Sequence, residues 1–358
     1  LPREVWAEPG DEDGFELAVR STVHLAPDES FLFFFGLNHA RSWADALEAA
    51  EHCGLPPQNM VLATKQGDIG YMMVGAIPHR GPRHASRGLW PAEGANPDND
   101  WLGTLPWAER PRVLNPRAGA LVTANGRIVP EGFAHPVTAA WRDPGRAARI
   151  EALLEARAAH DLDTFAAIQL DVGSTKVFET LPFLLETSPR SERARRALAL
   201  LRAWDGQWRR DAPQPALYAA FMHALTARIA TDELGPAWPL AAGRRPEIVR
   251  DAFRGPLATW CDDGRTPRSE TCRDLLAPSL EAALEGLEAH FGDDYAAWRW
   301  GEQLRIVHRH LGLGFLPGLG ALLNTETSGQ GGPSTPNVGY YLSRALPAIE
   351  GRRHGPSL

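Results

Sequence analysis

Apolar and polar positions change rhythm along this chain, and the changes mark its elements. An unbroken aromatic and aliphatic run, "SFLFFFGL" (30–37), predicts a strand buried on both faces. It is far too short to span a bilayer. Upstream, "GFELAVRSTVHL" (14–25) alternates roughly as a strand does. "WADALEAAEHCG" (43–54) has helical period, with Ser42 as N-cap and a stop at Gly54. "MVLATKQGDIGYMMVGAIPHRG" (60–81) is two apolar runs around Gly67, Asp68 and Gly70, the signature of a hairpin. Residues 82–111 are rich in Pro, Gly and Trp and have no period, which predicts a long loop, and such loops tend to carry function. "AGALVTANGRIVP" (118–130) then reads as strand, turn, strand.

After Pro144 the period becomes helical. "GRAARIEALLEARAAHDLDTFAAIQLD", "SERARRALALLRAWDGQ", "PALYAAFMHALTARIATDEL" and "APSLEAALEGLEAHFG" all predict helices. Glycine and proline break the pattern in "GLGFLPGLGALLNTETSGQGGPSTPNVGYY", and the chain returns to short strand-like runs. The expected organisation is a sheet-rich part at 1–144, a mainly helical region at 145–315 and a return to the sheet at 316–358. Strands at both ends around inserted helices imply a sheet assembled from distant segments.

Composition adds limits. The chain has 358 residues, 44% of them apolar and 23% charged, as in ordinary globular proteins. A net charge of −7 argues against nucleic acid as a partner. The chain opens on Leu1 and shows no charged segment followed by an apolar one, so no signal peptide is expected in it. Cys261 and Cys272 bracket a polar, turn-rich loop and are either a disulfide pair or two unlinked thiols; a bridge would favour an exported protein.

Candidate chemistry is sparse. His308 and His310 stand two apart in "RIVHRHLG", which reads as a helix end more readily than as a metal site. "SGQGGPSTPN" (328–337) lacks the spacing and lysine of a phosphate loop and reads as a mobile or substrate-facing loop. Of the tryptophans in "YAAWRWGEQ", two apart, one is expected at a core edge. No G-x-S-x-G elbow occurs. Asn125 before Gly126 has two readings: the favoured pair of a tight hairpin turn, or a side-chain amide held as a hydrogen-bond donor where an oxyanion develops.

Several blocks in order resemble the beta-chain of the penicillin acylase (penicillin amidase) family of N-terminal-nucleophile hydrolases. They are "QNMVLATKQGDIGYMMVGAIPHR", "GLWPAEG" through "DWLGTLPWAERPRVLNPRAGALVTANGRIVP", "WRDPGRAARIEALL", "QLDVGSTKVFETLPFLL" and the terminal "HGPSL". The resemblance implies an α+β fold, the layered αββα sandwich, incomplete in this chain and carrying a large helical insertion. It implies hydrolysis of an amide in a small acylated molecule (a beta-lactam, an acyl-homoserine lactone or a lipopeptide) through an acyl-enzyme. The nucleophile in the family is an N-terminal serine freed by autocatalytic cleavage, with its own α-amine as base. By motif, Asn125 is then the oxyanion donor and Arg146 its orienter. Trp90, Trp101 and Trp107 are candidate pocket walls, and the aromatics of 31–35 are further candidates, with core packing the commoner role for the latter.

The pattern departs from the family at its start: no Ser, Thr or Cys opens the chain. The implied partners are therefore the upstream alpha-chain and the first part of the beta-chain of the same precursor, and this chain alone is expected to be inactive. No cofactor is implied. His135 and Pro136 stand where some relatives place an acidic calcium ligand, which argues against bound calcium. The implied location is periplasmic or secreted. Two other classes remain, a non-catalytic binding module of the same fold and an unrelated helical interaction protein, the latter requiring 60–130 to be mostly helical.

Overall fold

The structure is a computed structural model. It describes residues 18–352, leaving out 26, 139–140, 239–244 and 344–348, and side chains only up to 339. The start of the 14–25 run and the "HGPSL" block lie outside the described residues. The rest falls into two compact units, one running to Ala147 and one from Ala148.

In the first unit the run predicted as a buried strand is a helix, α1 (Ser30–His39). It contains no β-branched residue, and Asp28 accepts from the Ser30 backbone N–H at 3.0 Å to start it. Phe33 is buried, whereas Phe31, Phe34 and Phe35 are exposed. α2 (Trp43–Glu51) forms as expected, with a reciprocal capping box between Ser42 and Asp45. The two helices approach closely at Gly36, where a Cβ would sit 2.9 Å from that of Ala49.

The predicted hairpin is present: β1 (Gln58–Ala63) pairs antiparallel with β2 (Ile69–Val74), Val61 opposite Tyr71. β2 is buried on both faces, as its apolar run requires. Met72 and Val74 pack with Phe33, Ala46 and Ala50, while Tyr71 and Met73 pack with Ile77 and Leu105. Gly70 is obligatory there, because a Cβ would lie 2.0 Å from the Trp43 ring. The long loop is not structureless: β3 (Pro78–Arg80) pairs with β4 (Trp101–Thr104), and β5 (Arg112–Leu114) adds to the far side of β2. By contrast, 118–130 forms no strands. It is a series of bends whose Leu121 and Ile128 pack on the Tyr71 cluster, so the apolar alternation serves burial without sheet pairing.

The second unit is built on helices. α3 (Gly145–Glu155) leads into α4 (Leu162–Gln169), α5 (Val177–Leu184), α6 (Glu192–Arg202), α7 (Gln214–Leu234), α8 (Arg245–Arg254) and α9 (Leu276–Phe291). α7 is its axis. Every residue from Pro215 to Thr226 is buried, the mark of a helix enclosed by others. Each fully buried Leu or Phe there contributes about 1.5–3 kcal/mol over exposure.

Trp298 and Trp300 are both fully buried, which corrects the expectation of one at a core edge. A 3-10 turn at Tyr295–Ala297 and a non-helical step at Trp298 and Arg299 precede α10 (Trp300–Gln303), and each indole N–H finds a carbonyl, Gly292 for Trp298 and Gly331 for Trp300, at 2.8 Å. The Gly-rich 328–337 segment is likewise not a mobile loop. Thr335 and Asn337 are buried, and Thr335 Oγ donates to the Asn337 carbonyl while accepting from the Gly332 N–H.

"RIVH" is a strand, β6 (Arg305–His308), rather than a helix end. After α11 (Leu319–Leu323), the chain returns as β7 (Thr325–Ser328), paired antiparallel with β6. β8 (Tyr340–Ser343) and β9 (Ile349–Arg352) form a last antiparallel pair.

Cys261 and Cys272 are bonded, Cα atoms 4.9 Å apart, which decides between the two readings of the pair. The bridge closes a loop between α8 and α9 with a sequence separation of 11. Replacing both cysteines by serine should cost about 2–3 kcal/mol of unfolding free energy; chemical unfolding with and without reductant measures it, and the double variant should no longer respond to reductant.

Acid should also destabilise this unit through α7. His223 is buried, and burial together with the nearby Arg245 charge lowers its pKa from 6.5 to about 4. The unfolded chain therefore takes up the proton first as pH falls. The contribution is whole above pH 6.5 and is lost progressively toward about pH 4. It amounts to about 3 kcal/mol. In His223→Leu the fall in unfolding free energy across that window should shrink; an unchanged pH slope would refute the assignment.

Candidate functional site

Asn125 sits among bends, not in a hairpin turn. Its neighbours Ala124 and Gly126 are buried, while Asn125 itself is exposed. Its φ is 63°, in the left-handed region that Asn tolerates better than most residues. The Arg142 backbone N–H donates to its carbonyl at 2.9 Å, fixing the bend from the approach to α3.

Arg146 is the second residue of α3, whose start is held by Asp143 accepting from the Gly145 N–H at 2.8 Å. The Arg146 Nη2 donates to the Ala124 carbonyl at 3.0 Å and to Asn125 Oδ1. A guanidinium has donors and no acceptor. The atom facing it must therefore be the amide oxygen, and Nδ2, with its two N–H bonds, takes no part in this contact. The structure thus brings together the two residues that the sequence pattern paired, 21 positions apart. The described residues do not enclose them, since Asn125 is exposed.

The three tryptophans do not converge on one pocket. Trp107 is part of the α1–α2 core and lines a shallow cleft of about 540 Å³ with Trp43, Leu47, Glu51, Arg112 and Leu114. Trp101 lies under two guanidinium groups, Arg20 at 4.9 Å and Arg80 at 5.6 Å from the ring centre. Trp90 is 57% exposed.

His135 Nε2 meets Glu109 Oε2 at 2.6 Å, and its ring stands edge-on to His79. Among the described residues no group of three or more His, Cys, Asp or Glu side chains is placed to hold a metal ion. None of the described helices is long and apolar enough to cross a membrane.

What the sequence pattern misplaced is α1. Its outward face carries Phe31, Phe34 and Phe35, with Phe31 and Phe35 stacked at 6.5 Å. The missed signal was an aromatic run without Val, Ile or Thr, followed by the Asn38–His39 pair, which suits a helix as well as a strand.

The chain combines helices with small antiparallel sheets. The chain belongs to the penicillin amidase family, whose profile matches residues 5–358. It is 31% identical over 341 residues to the acyl-homoserine lactone acylase QuiP of Pseudomonas aeruginosa, covering 87% of this chain and 40% of that protein. It is 29% identical to the penicillin acylase 2 proenzyme of Pseudomonas sp. strain SE83, covering 89% of this chain and 41% of the relative. The chain thus spans about two-fifths of the length of the curated relatives it matches. Among solved structures it shares the fold of a thermostable penicillin G acylase from Alcaligenes faecalis, with a TM-score of 0.57, 19% identity, and coverage of 85% of this chain and 60% of that one.

Proposed function

We propose that this chain is the oxyanion-binding part of an amidohydrolase that cleaves small acylated amides, with acyl-homoserine lactones the leading substrate class. The observation that carries the reading is the Arg146–Asn125 contact, which engages the amide oxygen and leaves the amide nitrogen to donate elsewhere. The names of the relatives support the substrate class. The fold is then the αββα sandwich, completed by further polypeptide of the same precursor. That polypeptide supplies the N-terminal serine after autocatalytic cleavage, so this chain is inactive alone.

The reaction proceeds by acyl transfer. The serine Oγ attacks the acyl carbonyl carbon, and its proton passes to the α-amine, whose pKa of about 8 leaves it partly neutral at working pH. The carbonyl oxygen becomes an oxyanion and accepts from Asn125 Nδ2. Collapse breaks the C–N bond, and the ammonium returns its proton to the leaving nitrogen. Water then cleaves the acyl ester, releasing the carboxylic acid and restoring the serine. Arg146 holds the donor in place and adds positive charge nearby, so little reorganisation is needed as charge develops.

The outward aromatic face of α1 is proposed as the apolar wall for the acyl group, with the exposed Trp90 ring as a second contact. Trp101 and Trp107 act behind it, one under its arginines and one in the core. The Cys261–Cys272 bridge supports a periplasmic or secreted location, where disulfides persist.

In the complete, processed protein, Asn125→Ala should lower kcat about a hundredfold to a thousandfold with KM little changed. Activity retained within a few-fold would rule out the oxyanion role. Arg146→Ala should lose less, about tenfold, with partial recovery in Arg146→Lys. Phe34→Ala should instead raise KM for long acyl chains more than for short ones; equal effects on both would remove α1 from the acyl site.

A further inference from the structure

Arg149 follows Arg146 by three positions on α3, so the two side chains leave neighbouring points of one helix. Arg149 grips a single carboxylate with two donors. Its Nε donates to Asp171 Oδ1 at 2.9 Å and its Nη2 to Asp171 Oδ2 at 2.7 Å. The Arg149 side chain is 27% exposed and that of Asp171 15%, so the pair is partly shielded from water. A charge-assisted contact at two points fixes orientation as well as distance.

Asp171 is itself held from several sides. Its Oδ1 also accepts from the Gly173 N–H at 3.0 Å. Its carbonyl accepts from the Asn337 N–H at 2.9 Å, and the next carbonyl, that of Val172, accepts from the Trp208 N–H at 2.9 Å. Val172, Trp208 and Asn337 are buried, so these bonds tie the carboxylate to the interior of its unit. Gly173 closes the fork on one side. A Cβ there would stand 2.9 Å from Gln207 Nε2 and 3.0 Å from Arg149 Nη2.

Other contacts hold α3 less firmly. Gly145 is the one buried residue of this helix, so apolar packing does little to set its rotation. Its first turn carries the N–H groups left over at any helix start, and Asp143 meets that of Gly145. A small rotation about the helix axis would carry the Arg146 guanidinium away from Asn125 Oδ1, and the amide would lose the contact that selects its oxygen.

We propose that Asp171, acting through Arg149, is a positioning residue for oxyanion binding. The fork sets the rotation of α3 and so keeps Arg146 on Asn125. This rests on the oxyanion role proposed for Asn125 and extends it to a carboxylate that touches no substrate.

The test is a set of kcat and KM values for a short-chain acyl-homoserine lactone, measured with the complete, processed protein. Asp171→Asn should lower kcat about tenfold and leave KM little changed. Added to Asn125→Ala, it should cost nothing further, because the donor it positions is already gone. A carboxylate that only stabilised the fold would cost the same in both backgrounds. Arg149→Lys keeps the charge and loses the fork; it should behave as Asp171→Asn does, and it carries the test if Asp171→Asn fails to fold. Unchanged kcat in the folded variants, or an equal loss with and without the Asn125 amide, overturns the proposal and leaves the oxyanion role standing. Full activity in Asn125→Ala overturns both.

Discussion

A guanidinium offers hydrogen atoms and no lone pair, and the proposed chemistry depends on that asymmetry. An asparagine amide is nearly symmetric in shape, so by itself it can present either its oxygen or its nitrogen. Beside Arg146 only one choice is stable, and it keeps the amide nitrogen out of that contact. The bend at Asn125 and the helix start at Gly145 serve this contact: one sets the origin of the amide, the other the origin of the guanidinium.

Much of the scaffold was legible in the sequence because its local signals agree with its burial. The Ser42 cap, the turn between β1 and β2 and the long apolar α7 each follow from a pattern of a few residues. The pairing of Asn125 with Arg146 was legible through the order of motifs, whereas the geometry that gives it meaning was not, since a contact across 21 residues has no periodic trace.

The misread segments share a cause. The 30–37 run, the 118–130 stretch and "RIVH" are short apolar sequences, and periodicity cannot separate helix, strand and buried bend at that length. Trp298 and Trp300 do not share one helix, since Trp298 precedes α10 in non-helical backbone, so the helical spacing rule does not govern them and both are buried. The Gly-rich segment misled through composition: its glycines permit close packing, as at Gly332, where a Cβ would strike the Trp208 ring.

The third cysteine gives the bridge a kinetic side. Three cysteines allow three pairings, and Cys53 lies far upstream of the other two. Closing a ring of a dozen residues is entropically cheaper and faster than closing one of two hundred, so the native partners meet first on an unfolded chain. Once the first unit forms, Cys53 is buried, and desolvation raises its thiol pKa, suppressing the thiolate that thiol–disulfide exchange requires. Among the cysteines of these 358 residues, chain order and burial both favour the Cys261–Cys272 pairing.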